Sequence, residues 1–251
     1  MSPPKAVCLD VGWTLVYPRA SLWDIFADVV REAGSQMMAV EAERLINDVV
    51  MATRPQAVEE FHRGAEYADS DEAFLALFET MSRGLFTFAG IGGDHEALTG
   101  RFLRRFWNPD NWVVFDDVIA AIERLRARGV RVGVLSNASS DLVDFLERLG
   151  LLPHFDFTVV SALEGTKKPD PRIFAHALRR AGTAPEETVH VGDMYIEDVL
   201  GPRRVGVRPL LMERGTRAMF PHFPESERHP AERFEIVRGL DDVLAAVGLA
   251  S

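Results

Sequence analysis

Short, apolar, β-rich runs alternate with segments of helical periodicity along most of this chain. Strands that alternate with helices form a parallel sheet with helices packed on its faces. We therefore predict an α/β fold built on a doubly wound parallel sheet. The predicted strands cover residues 5–10, 130–136, 157–161, 188–192 and 207–212, with an edge strand at 234–237.

Residues 18–111 differ from the rest because their pattern is helical almost throughout. We predict helices over 22–33, 41–51, 73–86 and 95–107, with breaks at Pro55 and at 90–93. This pattern indicates a helical domain inserted after the first strand. The predicted domains are an α/β core of residues 1–17 and 112–251 and a helical insertion of residues 18–111. A long surface loop is expected at 213–233.

Composition excludes several classes of partner. The formal net charge of −10 argues against nucleic acid, whose phosphates require basic surfaces. No apolar run reaches the roughly 18 residues that a membrane-spanning helix needs, so we expect no membrane partner. A single cysteine, Cys8, rules out an internal disulfide and fits a reducing compartment. We expect a cytoplasmic monomer or homodimer.

Residues that can carry chemistry follow four of the predicted strands, at the edge where parallel sheets bind their ligands. They are Asp10 with Thr14, Ser136 with Asn137, Lys168 with Pro169, and Asp193 with Glu197 and Asp198. A carboxylate can attack a phosphoryl group when positive charge lies nearby. A lysine and a Mg²⁺ held by further carboxylates supply that charge, and hydroxyl groups can bind the phosphoryl oxygens.

The order and spacing of these residues resemble the four motifs of the haloacid dehalogenase (HAD) superfamily, whose members are mostly Mg²⁺-dependent phosphohydrolases. The matching strings are D-V-G-W-T-L at 10–15, L-S-N at 135–137, K-P at 168–169 and G-D-M-Y-I-E-D at 192–198. The resemblance implies a Rossmann-like core with an α-helical cap domain formed by the insertion. It also implies a phosphatase that acts on a small phosphorylated metabolite.

The resemblance further implies a role for each motif residue. Asp10 would be the nucleophile that forms an aspartyl-phosphate, and Lys168 would orient it and bind the phosphoryl group. The other phosphate-binding residues would be Thr14, Ser136 and Asn137. Mg²⁺ would be held by Asp10, the Gly12 carbonyl, Asp193 and Asp198. We expect Glu197 to lie on the surface and His190 to be an ordinary strand residue.

Gly12 departs from the family pattern, because phosphatases of this family usually carry a second aspartate there. That aspartate protonates the leaving oxygen and then activates water, and such help is typically worth about 10²–10⁴-fold in rate. Three explanations stay open: a substrate with a good leaving group such as an acyl phosphate, an acid from elsewhere, or a chain that binds ligands without efficient catalysis. The candidate acids are Tyr17, Glu59, Glu60, His62 and His95.

The alternatives belong to other functional classes. A non-catalytic HAD module would keep its affinity for Mg²⁺ and phosphate without turnover. A 2-haloacid dehalogenase would also use Asp10, but such enzymes need no metal and carry tyrosine and glycine where this chain has Gly12 and Trp13. A phosphonatase is rejected because it requires a cap lysine, and residues 18–111 contain none.

Overall fold

A six-stranded parallel sheet carries all four motifs. The computed structural model describes residues 3–63, 66–215 and 234–249. Its strands are β1 (Ala6–Leu9), β2 (Val16–Pro18), β3 (Trp112–Val114), β4 (Arg131–Ser136), β5 (Phe157–Val160), β6 (Thr188–Gly192), β7 (Arg208–Met212) and β8 (Glu235–Val237). All except β2 and β3, which pair with each other, form one sheet in the order β5-β4-β1-β6-β7-β8, with parallel neighbours. The predicted fold class is confirmed.

The register of the sheet brings the ends of its central strands together. The four residues of β1 are at most 2% exposed, because a strand inside a parallel sheet is covered on both faces and is therefore apolar throughout. Leu9 is in register with Val134 of β4 and Val191 of β6. The residues that follow these partners lie at one edge of the sheet, so Asp10 and Asp193 are placed close together.

Among the described residues of the insertion, four segments are α-helical. They are α1 (Leu22–Glu32), α2 (Ala39–His62), α3 (Asp71–Phe88) and α4 (His95–Phe106). The predicted break at Pro55 is wrong, since α2 continues through it. A proline within a helix removes one main-chain hydrogen bond, and a long helix can bend there and keep the others. The start of α1 is fixed by a capping box, in which the Ser21 side chain accepts from Asp24 N at 3.0 Å.

Aromatic side chains hold these helices together. Phe26 of α1 stacks on Phe86 of α3 with ring centroids 5.2 Å apart and meets Phe102 of α4 edge-on at 6.1 Å. Burial of one such ring contributes about 1.5–3 kcal/mol. At the surface, Glu32 of α1 pairs with Arg105 of α4 at 2.7 Å.

Helices also follow the strands of the sheet. They are α5 (Val118–Ala127), α6 (Leu142–Arg148), α7 (Ser161–Glu164), α8 (Pro171–Ala181), a π-helical segment (Tyr195–Leu200), α9 (Gly201–Arg204) and α10 (Leu240–Ala246). As predicted, α8 begins at Pro171 and ends before Gly182, whose φ of 67° is left-handed. Within the described ranges no helix is long and apolar enough to span a membrane. The predicted surface loop covers residues 213–233, and its residues 216–233 lie outside the described part of the chain.

The chain divides into two compact units. The first comprises Met1–Tyr17, Gly64–Ser70 and Val114–Ser251, and the second comprises Pro18–Arg63 and Asp71–Val113. Residues 66–70 thus group with the sheet, although they lie within the predicted insertion. Ala68 forms an antiparallel bridge with Thr166, and Tyr67 N donates to Asp170 Oδ2 at 3.2 Å. A short segment between α2 and α3 is therefore hydrogen-bonded to the loop that precedes Lys168.

Candidate active site

Asp10 lies directly after β1, at the carboxyl edge of the sheet. Its N–H donates to Val191 O at 2.8 Å, which extends the β1–β6 pairing by one residue. The residue is 8% exposed, and its carboxylate accepts hydrogen bonds from Lys168 and Ser136. Burial raises the pKa of Asp10, and the Lys168 ammonium opposes that rise. The sheet therefore presents a carboxylate whose orientation is fixed by two donors.

Lys168 reaches the same point from the loop between α7 and α8. Its Nζ donates to Asp10 Oδ1 at 2.9 Å and to Asp198 Oδ1 at 2.6 Å, and the residue is 3% exposed. Burial by itself would lower the pKa of this ammonium, but the two carboxylates raise it above its usual value. Lys168 is therefore cationic at neutral pH and supplies a fixed positive charge beside Asp10.

Asn137 fixes the main chain of Lys168. Asn137 Oδ1 accepts from Lys168 N at 2.8 Å, and Asn137 Nδ2 donates to Lys168 O at 2.9 Å. This reciprocal pair joins the end of β4 to the lysine loop. The side chain predicted to bind phosphate thus anchors the neighbouring lysine, whereas the Ser136 side chain is hydrogen-bonded to Asp10.

Three carboxylates form an acidic cluster at this edge. Asp10, Asp193 and Asp198 each offer an oxygen within 4.8 Å of the others. Burial, together with the charges of Asp10 and Asp198, raises the pKa of Asp193 well above its usual range. Lys168 neutralises one of the three charges, which leaves two uncompensated when all three groups are ionised. Hard oxygen donors and an excess of two negative charges suit a divalent cation such as Mg²⁺.

Asp198 is held by three donors on its two oxygens. Oδ1 accepts from Lys168 Nζ and from His190 Nε2, the latter at 2.8 Å, and Oδ2 accepts from Met194 N at 2.9 Å. Burial would raise the pKa of Asp198, but Lys168 and His190 hold it well below its usual value. The carboxylate packs against Gly192, where a Cβ would lie 2.3 Å from Asp198 Cγ. Glycine at the end of β6 thus leaves room for this carboxylate.

One residue of the site, His190, was not identified from the sequence, and a second, Glu197, was expected in the wrong environment. His190 is fully buried on β6, and burial lowers its pKa; its Nδ1 has no partner among the described residues. A histidine inside the apolar strand 188–192 was the available signal. Glu197 is half-buried rather than on the surface. Burial and the neighbouring Asp198 raise the pKa of Glu197 to about 7.

The turn after Asp10 contains Gly12, the residue that differs from the family pattern. A Cβ built on Gly12 would meet no atom of the described residues within 4 Å, so they leave space where phosphatases of this family usually carry an acid. Trp13 has a left-handed φ of 53°, which is rare for a bulky residue. Thr14 is fully buried, and its Oγ1 has no hydrogen-bond partner in the described part of the chain. Its predicted contact with phosphate therefore stays a prediction.

The candidate substitutes for the missing acid have partners of their own. The Tyr17 ring packs on Phe115 with centroids 4.6 Å apart. Within the helical unit, Glu59 pairs with Arg63 at 2.5 Å, and His95 Nε2 bonds to Ile91 O at 2.7 Å. Glu60 and His62 are exposed. A catalytic role for any of the five stays a prediction.

Comparisons with known proteins agree with this geometry. The family model for haloacid dehalogenase-like hydrolases matches residues 4–206. The haloacid dehalogenase-like hydrolase domain-containing protein 3 of Danio rerio is 32% identical over 216 residues, 84% of this chain and 86% of that protein. The glyceraldehyde 3-phosphate phosphatase of Methanothermobacter thermautotrophicus is 34% identical over 252 residues, 95% and 96% of the two chains. A solved HAD-hydrolase structure from Bacillus subtilis, bound to magnesium, has a TM-score of 0.70 at 17% identity and covers 98% of this chain and 100% of its own. The chain belongs to the haloacid dehalogenase-like hydrolase family and is an enzyme of that family.

Proposed function

We propose that this enzyme is a Mg²⁺-dependent phosphatase that hydrolyses a small phosphorylated metabolite through an aspartyl-phosphate on Asp10. The main support is the buried contact of Lys168 Nζ with Asp10 Oδ1 at 2.9 Å, beside the carboxylate of Asp193. A relative that covers nearly the whole chain is named as a glyceraldehyde 3-phosphate phosphatase. We further propose that the helical insertion acts as a cap that admits substrate and excludes water.

Asp10, Asp193 and the Gly12 carbonyl would hold the metal, with Asp198 behind them. When bound, Mg²⁺ neutralises charge on the phosphoryl oxygens and so lowers the repulsion between substrate and nucleophile. Three donors bind Asp198, two on Oδ1 and one on Oδ2, and we propose that it contributes mainly by holding Lys168. This division gives Asp193 the larger part in binding metal.

The chain's own residues account for the first step. A carboxylate oxygen of Asp10 bonds to phosphorus while the phosphorus–oxygen bond of the ester breaks, and the leaving oxygen departs with the electron pair. Lys168 holds Asp10 in one orientation and places positive charge where negative charge builds up on the phosphoryl group. In the second step the oxygen of water bonds to phosphorus while the bond between phosphorus and the Asp10 oxygen breaks. Asp10 leaves as a carboxylate, and phosphate and the proton lost by water are released to solvent.

Gly12 limits the substrates that this site turns over well. Glycine has no proton to give to the leaving oxygen, and the space beside it is open. A leaving group that is stable as an anion, such as the carboxylate of an acyl phosphate, needs no such proton. We therefore propose that the enzyme cleaves phosphates with good leaving groups faster than alkyl phosphates.

The test is phosphate release from acetyl phosphate and from an alkyl phosphate, each with Mg²⁺ and with a chelator. We expect metal-dependent release that is faster with acetyl phosphate. Asp10→Asn preserves the size of the side chain and removes the nucleophile, so turnover should fall to background while the thermal unfolding midpoint changes little. A fully active Asp10→Asn enzyme would exclude the mechanism.

A second candidate function, a binding module without turnover, is favoured by one observation, the absence of any side chain at Gly12. It predicts saturable binding of Mg²⁺ and phosphate with no phosphate release from a wide substrate panel. The retained contact between Asp10 and Lys168 counts against it. A third, dehalogenation through Asp10, predicts halide release from 2-haloacids in the presence of chelator.

A further inference from the structure

The turn of residues 11–16 has a backbone that its neighbours must hold in place. It follows the nucleophile and carries both the Gly12 carbonyl and Thr14. Trp13 is left-handed at φ 53°, although it is not glycine. Residues with such backbone angles persist only where surrounding structure fixes them. Within the turn, Trp13 N donates to Val16 O at 2.7 Å, and Leu15 N donates to Val11 O at 2.8 Å.

A buried arginine from the far end of the chain binds this turn. Arg214 lies two residues after β7, and its side chain is 6% exposed. Its Nη2 and Nε donate to Thr14 O at 2.8 and 3.3 Å. The same guanidinium donates from Nη1 to Asp117 Oδ2 at 2.7 Å and lies 4.1 Å above the Phe115 ring. One planar group thus joins the turn to the segment that leads into α5.

Its partners are themselves tied to the turn and to a further helix. Phe115 N donates to Leu15 O at 3.0 Å, so the residue beneath the guanidinium holds the next carbonyl of the turn. Asp117 Oδ2 also accepts from Leu240 N at 2.7 Å, at the start of α10. These bonds place Arg214 at the centre of a group of contacts that holds the C-terminal half of the turn.

We propose, on the basis of the phosphatase function above, that Arg214 is the positioning residue for this turn. It holds the Thr14 carbonyl and thereby keeps the Gly12 carbonyl and Thr14 in place beside Asp10. The ion pair with Asp117 satisfies the charge of the guanidinium, whereas the two bonds to Thr14 O are the link to the site. The role depends on the planar fork of arginine, since a lysine ammonium cannot bind both partners in this geometry.

Arg214→Lys is the discriminating variant, and Arg208→Lys is its matched control. Arg208 lies at the opposite end of β7 and also binds one carboxylate and one main-chain carbonyl, Glu235 Oε1 at 2.5 Å and Ala246 O at 3.0 Å. Both substitutions keep the charge and remove the fork. The thermal unfolding midpoint of each variant is measured first, so that kinetic constants refer to folded protein.

The readouts are kcat and KM for acetyl phosphate with Mg²⁺, and amide hydrogen exchange of the peptide that spans residues 10–17. For Arg214→Lys we expect kcat to fall about 10- to 100-fold, because a small displacement of reacting groups has that effect. KM should change less than about threefold, since the loss is in the reacting geometry. Exchange in this peptide should rise about tenfold or more as its local structure loosens. Arg208→Lys should leave kcat, KM and amide exchange of this peptide unchanged.

Two results would overturn the proposal. One is an Arg214→Lys enzyme whose kcat and exchange both stay within about twofold of wild type. The other is an equal loss in Arg208→Lys, which would indicate a general effect on stability. If the wild type releases no phosphate from acetyl phosphate or from a wide panel of phosphate esters, the phosphatase function fails, and hydrogen exchange in the two variants still decides the role of Arg214.

Discussion

Replacement of Gly12 by aspartate tests whether this site lacks a general acid. The structure allows the change, since a Cβ at Gly12 would meet no atom within 4 Å in the described part of the chain and the backbone there is not left-handed. The new side chain would follow the Asp10 carboxylate by two residues, and a neighbouring carboxylate favours its protonated form. That form can give a proton to the leaving oxygen, which is the step that glycine cannot perform.

The expected gain depends on the leaving group. General acid catalysis is typically worth about 10²–10⁴-fold, which corresponds to about 3–5 kcal/mol of the barrier at 1.36 kcal/mol per tenfold. Gly12→Asp should therefore raise kcat/KM for an alkyl phosphate by at least about tenfold. For acetyl phosphate the change should stay within about threefold, because its leaving group departs without a proton.

The assay is phosphate release from both substrates at saturating Mg²⁺, and Gly12→Asn is the matched control. Asparagine has the size and shape of aspartate but gives no proton. The reasoning is refuted when Gly12→Asp leaves alkyl phosphate hydrolysis unchanged, since another side chain then already supplies the proton. It is equally refuted when Gly12→Asn matches Gly12→Asp, because the gain then comes from shape or polarity.

Three further substitutions test the packing around the site. Gly192→Ala places a methyl carbon 2.3 Å from Asp198 Cγ, so the carboxylate must move. We expect kcat/KM for acetyl phosphate to fall about 10²-fold as a result. An unchanged kcat/KM would contradict the role given to Asp198. Gly133→Ala places a carbon 2.3 Å from the Phe157 ring. Urea denaturation should show that the free energy of unfolding falls by about 1–3 kcal/mol, while kcat of the folded enzyme stays unchanged. A lower kcat with unchanged stability would contradict this prediction. Although burial opposes it, hydrogen bonds from Arg172 and Tyr67 N lower the pKa of Asp170, so its contribution is complete at pH 7 and is lost as the pH falls below about 4. The wild type should therefore unfold at a higher temperature than Asp170→Asn at about pH 7, and this difference should become smaller as the pH is lowered to about 3. A difference that grows as the pH falls would show that the pKa of Asp170 is raised instead.

The fold followed from the sequence because the central strands of the sheet are short apolar runs with clear ends. β6 was predicted at its observed bounds, since its apolar residues stop at Gly192 and Asp193. The ends of α8 were likewise marked by Pro171 and Gly182. The error at Pro55 has a physical origin, because loss of one hydrogen bond does not end a long helix. Local sequence signals thus predicted the strands and helices, except in α2, which continues through a proline that usually interrupts a helix.

The candidate site, like the fold, could be predicted from the sequence only in part. Residues that directly follow a strand, such as Asp10 and Asp193, could be placed together because parallel strands end at one edge. Contacts between residues far apart in sequence gave no local signal. Arg214 and Thr14 are 200 positions apart, and nothing near Arg214 distinguishes it from the other arginines. His190 was missed because its importance comes from its bond to Asp198, which only the folded chain forms.

The position of Asp198 shows why the type of a residue does not fix its role. Two acids of the fourth motif, Asp193 and Asp198, were predicted to bind metal, and both lie in the acidic cluster. However, three donors bind the oxygens of Asp198, and its pKa is held low by Lys168 and His190. Asp193 has the opposite character, with a raised pKa in the same cluster. A bound cation lowers the free energy of a carboxylate most when that charge is otherwise uncompensated. We therefore propose Asp193 as the principal metal ligand and Asp198 as the fixed counter-charge that keeps Lys168 in place.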